Sequence, residues 1–282
     1  MSSPGRDENS TAWDSFWNTK AVAGASLVMD GKTETWYDLV WKVGFESWYD
    51  IFTRLSPGRK MLEYGCGSAK VSQYMACRGY DCSMLDYSSA GIGLAQAAFR
   101  SLGREGCFMI GDINHLELAD NQFDIAYSGG VLEFFADVRS PVREVVRVLK
   151  PGGLFAVDIV PNKFSVQTLA DIERTLAGTV KNLATRRWRQ AFRIVRNVET
   201  SVSTASLQVY VDCFRAAGLT GLTARCVSPF PALSLGTRGE RLYGKLLKRS
   251  LGLWRAFNES PGRWTEVLGI AYRIYGVKGK SK

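Results

Sequence analysis

The chain has 282 residues, 46% hydrophobic and 22% charged, so it can bury a sizeable core and is not a disordered or low-complexity polymer. Its net charge of +9 is unevenly placed: residues 1–160 hold 15 Lys and Arg against 20 Asp and Glu, a net of −5, whereas residues 161–282 hold 21 against 7, a net of +14. No apolar run approaches the ~20 residues that span a bilayer, and with one histidine and no C-x-x-C pair among six cysteines the common zinc sites are excluded, so no metal is expected.

Residues 1–12 are polar, which predicts a disordered start, no secretory leader and a cytoplasmic chain. Trp13, Phe16 and Trp17 follow. From Thr35 to Leu55 apolar residues recur at helical spacing (Leu39, Val40, Val43, Trp48, Ile51, Phe52), until Ser56-Pro57-Gly58 ends the helix. A strand from Lys60 to Tyr64 runs into a glycine-rich turn and then a helix over Ser68–Arg78, stopped by Gly79. The alternation continues with strand Cys82–Asp86, helix Ser89–Leu102, and strands Cys107–Gly111 and Phe123–Ser128. A helix capped by Ser140 with Pro141 in its first position comes next, then a turn at Lys150-Pro151-Gly152-Gly153 and strand Leu154–Val160. Such alternation predicts βαβ units in a mostly parallel sheet with both faces covered. Beyond Pro161, residues 161–205 read as a basic helical insertion, Leu207–Ala217 as a helix and Leu222–Ser228 as a strand. Residues 232–264 read as a second Arg/Lys-rich helical insertion and Gly269–Lys278 as the final strand. The organisation is therefore an N-terminal helical segment (1–56), a core (57–160), the first insertion (161–205) and the completion of the sheet (206–282).

Four elements of the core carry the chemistry. Glu63-Tyr-Gly65-Cys66-Gly67-Ser68 takes a strand through a tight turn into a helix whose N-terminus suits an anionic group. A dinucleotide fingerprint would need a third glycine where Lys70 stands, which weakens a nicotinamide reading. Asp86 ends the next strand 19 residues after Gly67, the spacing at which a carboxylate accepts from a ribose diol. Asp112 closes the third strand at the same sheet edge, with Ile113 beside it, and Arg147-Val-Leu-Lys150-Pro-Gly-Gly153 precedes the fifth.

In this order over residues 60–160, the elements resemble the class I S-adenosylmethionine (SAM)-dependent methyltransferases, nearest to their small-molecule, type 11-like branch. The likeness rests on the glycine turn, the Asp112-x3-Leu116-x6-Phe123-Asp124 segment and the Leu-Lys-Pro-Gly-Gly turn, and extends loosely to Ala216-Ala217-Gly218-Leu219. It implies an α/β, Rossmann-like fold: a seven-stranded, mostly parallel sheet with helices on both faces, the last strand antiparallel, and helical lid insertions. It implies SAM as cofactor and S-adenosylhomocysteine as product. Glu63, Gly65, Cys66, Gly67 and Ser68 would hold the methionine portion, Asp86 the ribose with Tyr87 beside the adenine, Asp112 and Ile113 the adenine, and Ser128 and Gly129 would line the sulfonium. The family often has histidine after Val-Leu-Glu, where this chain has Phe134, so that base is absent.

Methyl transfer needs a base only for a hydroxyl or protonated amine acceptor. Glu133, Asp158 and His115 are the candidates, since ligands bind beyond the strand C-termini. Asp158 stands in an apolar strand, where a charge usually has a partner. Proximity catalysis without a dedicated base is an equal alternative. The expected function is methylation, of oxygen by preference, of a small anionic or amphipathic acceptor such as a sugar, a lipid-like molecule or a natural product. The basic C-terminal part can meet anionic substrate, a membrane surface or only solvent. Nucleic acid ranks below these, because the N/D-P-P-Y/F segment of base N-methylating enzymes is absent after the fourth strand. The alternatives are an RNA methyltransferase and a non-catalytic SAM-binding protein; the oligomeric state is left open.

Overall fold

A computed structural model describes residues 6–22, 36–168, 203–231, 233 and 236–280. Seven strands form one sheet in the order β3-β2-β1-β4-β5-β7-β6. They are β1 Lys60–Tyr64, β2 Asp81–Asp86, β3 Cys107–Ile110, β4 Phe123–Gly129, β5 Leu149–Ile159, β6 Leu219–Val227 and β7 Ala271–Lys278. Strands β1 to β5 pair in parallel, and β7 runs antiparallel between β5 and β6. The expected sheet is therefore present, down to its antiparallel last strand. Met61, Leu62, Ile125, Ala126, Phe155 and Val157 are all buried, as strands covered on both faces require.

The described helices are α1 Arg6–Val22, α2 Trp36–Leu55, α3 Lys70–Ala76, α4 Ser89–Ser101, α5 Arg139–Val148, α6 Leu207–Ala216, α7 Gly236–Arg249, α8 Leu251–Glu259 and α9 Arg263–Leu268, with a single 3₁₀ turn at Leu132–Phe134. On one sheet face, Phe45, Trp48 and Phe52 of α2, Met75 of α3 and Phe99 of α4 pack on Met61, Ile125 and Ala156. On the other, Val142 and Val145 of α5 and Tyr210 and Phe214 of α6 pack on Leu62, Ala126 and Phe155. A third cluster joins Leu39 and Val43 of α2 to Leu247 of α7 and Trp254 of α8.

Three local readings change. Lys150-Pro151-Gly152-Gly153 is not a free turn but part of β5: Phe123 pairs with Leu149 and Ile125 with Leu154, so the extra residues are absorbed as an irregularity within the strand. Helix α5 begins before Ser140, because Asp137 Oδ1 accepts the Arg139 N–H at 3.0 Å and starts the helix two residues earlier than the Ser-Pro signal. The polar start becomes helix α1 from Arg6 onward, held by contacts to the core rather than by its own composition. Most of the insertion expected at 161–205 lies outside the described residues, whereas the one at 232–264 forms α7, α8 and α9. No described helix is long and apolar enough to cross a membrane.

Candidate cofactor and catalytic site

From β1 the sheet grows through β2 and β3 to one side and through β4 and β5 to the other. Between β1 and β4 lies the point where strand order reverses, and it is beyond the strand C-termini at such a point that α/β sheets bind their ligands. The Gly65–Gly67 turn follows β1 there. Gly65 and Gly67 both have left-handed backbone, φ +62° and +50°, which glycine adopts without penalty. A Cβ at Gly65 would lie 2.3 Å from Val131 Cγ2, and one at Gly67 would lie 2.0 Å from the Trp17 ring. The turn is thus a cradle that no larger residue can line without displacing its neighbours.

Two carboxylates shape this cradle from below. Asp86 Oδ2 accepts the Gly67 N–H at 2.6 Å and Oδ1 accepts the Ser88 N–H at 2.8 Å, so one side chain ties the turn to the start of α4. Each oxygen keeps a lone-pair direction for a further donor, as a ribose diol would provide. Burial raises the Asp86 pKa against the lowering effect of those N–H groups. Glu63 Oε2 accepts the Ser72 N–H at 2.7 Å. An N–H of the first turn of α3, expected to face an anionic ligand, is therefore taken by the protein itself, and α3 spans only seven residues. Burial, aided by the neighbouring Asp86, pushes the Glu63 carboxyl up to about 7. Cys66 is buried, its thiol pushed well up by burial, and its backbone N–H bonds Leu85 O, so its side chain packs rather than reacts. Ser68 is buried, its carbonyl bonded by Gln73 Nε2. Tyr87 is half-buried beside Asp86. At the end of β3, Asp112 Oδ1 accepts both the backbone and side-chain N–H of Asn114, and Ile113 is buried.

The facing wall comes from β4 and the 3₁₀ turn after it. Tyr64 Oη, Ser128 Oγ and Glu133 Oε2 are buried with no hydrogen-bond partner among the described residues. Tyr64 ends β1, Ser128 lies at the end of β4, and Glu133 follows in the 3₁₀ turn. Gly129 closes β4 where a Cβ would lie 2.7 Å from Tyr127 Oη. Glu133 Oε1 accepts the Val160 N–H at 3.1 Å, which fixes the carboxyl and leaves Oε2 over. Burial pushes this carboxyl up to about 7. Buried polar atoms lacking partners are uncommon, and a group of them at a topological switch point is what a polar ligand would satisfy. A nucleoside carrying a cationic sulfur fits this lining: Glu63, Asp86 and Glu133 stand at or just beyond the C-terminal ends of β1, β2 and β4, and a cation nearby favours the ionised form of a buried carboxyl.

Of the other two base candidates, Asp158 lies next to this wall, paired with Gly129 and close enough to Glu133 to help raise its pKa. Asp158 is committed to a buried network: Arg273 Nε and Nη2 reach its two oxygens at 2.9 and 3.0 Å, and Trp48 Nε1 donates to Oδ2 at 2.6 Å. Arg273 Nη1 donates onward to Ser47 Oγ at 2.7 Å and its guanidinium lies 4.4 Å from the Trp48 ring centroid. The network bolts α2 to β5 and β7, and engages both oxygens of Asp158. His115 is exposed in the turn after β3, beside Glu144 of α5, and joins neither Asp158 nor Glu133. Arg273 was not among the expected site residues, yet a lone charge within Ala271-Tyr-Arg-Ile-Tyr, like Asp158 in its own apolar strand, was the signal that each needed the other.

Helix α1 covers the glycine turn. Asp14 accepts from Ser88 Oγ and, at 3.0 Å, from Ala90 N–H, capping α4 from outside its own segment. These hydrogen bonds, Ser88 first, hold the Asp14 pKa below its usual range. Trp17 lies against Gly67 and Gly91, and Trp13 packs edge-on to Phe134 at 5.1 Å. Replacing Asp14 with Ala removes a cap of about 1 kcal/mol. Limited proteolysis within residues 6–22 is then expected to speed up about fivefold while the thermal midpoint of the core holds; an unchanged cleavage rate would show that α1 is held otherwise.

Residues 62–157 match the family described as a methyltransferase domain. The malonyl-[acyl-carrier protein] O-methyltransferase of Erwinia billingiae is 33% identical over 96 residues, 34% of this chain and 37% of that protein. The phthiotriol/phenolphthiotriol dimycocerosates methyltransferase of Mycobacterium tuberculosis is 32% identical over 121 residues, 42% of this chain and 44% of that protein. The chain thus spans under half the length of these curated relatives. Among solved structures, the [4+2]-cyclase SpnF superposes with a TM-score of 0.56 at 17% identity, over 100% of this chain and 98% of that one. At that identity the likeness concerns the fold alone, and a fold does not fix a chemistry. The matched segment, about a third of the chain, holds the glycine turn, Asp86, Asp112, Ser128 and Glu133.

Proposed function

We propose that the chain transfers the methyl group of SAM to a small, amphipathic or lipid-like acceptor, with an acceptor hydroxyl as the attacked group. The observation that carries this reading is that Tyr64 Oη, Ser128 Oγ and Glu133 Oε2, on residues at or just beyond the C-terminal ends of β1 and β4, are buried with no hydrogen-bond partner among the described residues, beside a left-handed Gly65–Gly67 turn that follows β1. When bound, the cofactor supplies an electrophilic methyl on a sulfonium. Asp86 would orient the ribose through its remaining lone pairs, Asp112 and Ile113 the adenine, and Gly65 to Ser68 the methionine portion. Trp17 and Trp13 of α1 exclude water from above, so that much of the acceleration comes from orientation. Glu133, anchored by the Val160 N–H, takes the hydroxyl proton at Oε2 and is held near neutral pKa for that purpose. The lipid-like acceptor class is supported by relatives named for phthiotriol dimycocerosates and for malonyl-[acyl-carrier protein]. Incubating the purified chain with methyl-labelled SAM and fractionated lipid and metabolite extracts tests the reading. Label is expected in an extractable, hydroxyl-bearing small molecule; label in RNA alone, or none in any fraction, would contradict it.

A further inference from the structure

Helices α7 and α8 present two unlike faces. Inward, Leu247 and Trp254 are buried against Leu39 and Val43 of α2, with Tyr243, Leu251 and Phe230 packed around them. That face is complete. Outward, Leu242 is 61% exposed, Leu246 53% and Leu253 76%. Their spacing of four and then seven residues keeps them on one side of the helical path. Ser250 separates the two helices: its N–H bonds Leu246 O and Leu247 O at the end of α7, and its carbonyl accepts the Trp254 N–H at the start of α8, while Leu247 and Trp254, each the residue after an exposed leucine, share the inner cluster. Arg241, Lys245 and Arg249, all exposed, form a row at four-residue spacing along the leucines. From Gly236 to Arg263 the sequence has seven Lys and Arg against Glu240 and Glu259, a net of +5. On α9, Trp264 is 80% exposed beside Arg263. Lys163, on the loop that follows β5, donates to Glu266 O and ties α9 to the sheet's C-terminal edge, where the candidate site opens.

We infer that the outer face of α7 and α8, with Trp264, docks on the surface of an anionic lipid bilayer. An apolar row with flanking cations is the pattern of a helix lying in the interfacial plane, with leucines in the acyl boundary and Lys and Arg among the headgroups. Tryptophan is suited to the same depth, with an apolar body and a polar N–H. Charge selects this occupant over the others. A second copy would bring the row of Arg241, Lys245 and Arg249 against its own like charges, and a nucleic acid would satisfy the cations but leave three leucines in water. A docked face tied to the edge of the candidate site would let a lipid-like acceptor enter without crossing water.

Co-sedimentation of the full chain with vesicles tests this without any turnover, so it stands or falls separately from methyl transfer. Binding is expected to vesicles of phosphatidylcholine with phosphatidylglycerol and to be on the order of tenfold weaker to phosphatidylcholine alone or at raised salt. The Leu242→Glu/Leu246→Glu variant, altered only at exposed positions, is expected to keep its thermal midpoint and its SAM affinity. It is expected to lose about tenfold or more of vesicle binding, as is Lys245→Glu/Arg249→Glu. Equal binding to neutral and anionic vesicles, no binding, or unaltered binding by the leucine variant would overturn the inference. So would a wild-type dimer in sedimentation equilibrium, or RNA retention, that the leucine substitutions abolish.

Discussion

Glu133→Gln is expected to lower methyl-transfer turnover by about 10²–10⁴-fold while changing SAM affinity by no more than about twofold. Gln keeps the size and the Val160 contact but cannot take a proton. Only the ionised carboxyl is a base, and burial pushes its pKa up to about 7. Wild-type turnover should therefore fall as pH drops through about 7 and level off above it, and the variant should lack that limb. The stability effect runs the opposite way. Because the folded protein raises this carboxyl above its ordinary value of 4.5, the protonated form is favoured by folding. That contribution is present below pH 4.5 and is lost as pH rises to about 7. At alkaline pH the Gln variant should consequently be at least as stable as the wild type, which separates lost chemistry from lost fold. Unchanged turnover with an unchanged pH limb would assign the acceleration to positioning alone.

Asp158→Ala is expected to cost about 3–5 kcal/mol of unfolding free energy in urea titrations, because it strands Arg273 in the interior without its counter-charge. The loss should be largely recovered when both partners are replaced, as in Asp158→Leu/Arg273→Met, since a well-packed apolar pair does not incur the desolvation of two ions. If Asp158→Ala instead kept its stability and lost turnover, the carboxylate would be a catalytic group and the network incidental.

These two acids illustrate what the sequence makes legible. Asp158 stands near the C-terminal end of β5 and Glu133 in the turn just beyond β4, so sheet position makes both candidates. What separates them is a partner 115 residues away, Arg273, and a backbone N–H at Val160 that holds one oxygen of Glu133 and leaves the other. Local pattern marks Asp158 and Arg273 as charges that each need a partner, but does not say which partner, nor which oxygen of Glu133 is held. The cradle, by contrast, was readable because its demands are local: left-handed backbone at Gly65 and Gly67, and a strand-end carboxylate at Asp86 that reaches the turn. Strands and helices followed their periodicity, and errors fell where tertiary contacts overrode it. Asp137 rather than Ser140 starts α5, β5 absorbs a Pro-Gly-Gly run by an irregular register, and α1 folds from a polar segment because Asp14, Trp13 and Trp17 find partners on α4, the 3₁₀ turn and the glycine turn. Glu63, expected to hold the methionine portion, has one oxygen engaged by the Ser72 N–H.

The proposal as a whole rests on Asp86 serving both the glycine turn and a bound ribose. Titrating SAM into the purified chain and into Asp86→Ala by isothermal calorimetry measures this directly. The wild type is expected to bind one equivalent, and loss of the carboxylate to weaken binding on the order of 100-fold, as expected from two charge-assisted hydrogen bonds of about 1.5 kcal/mol each. No heat with the wild type, or equal affinity in the variant, would contradict it.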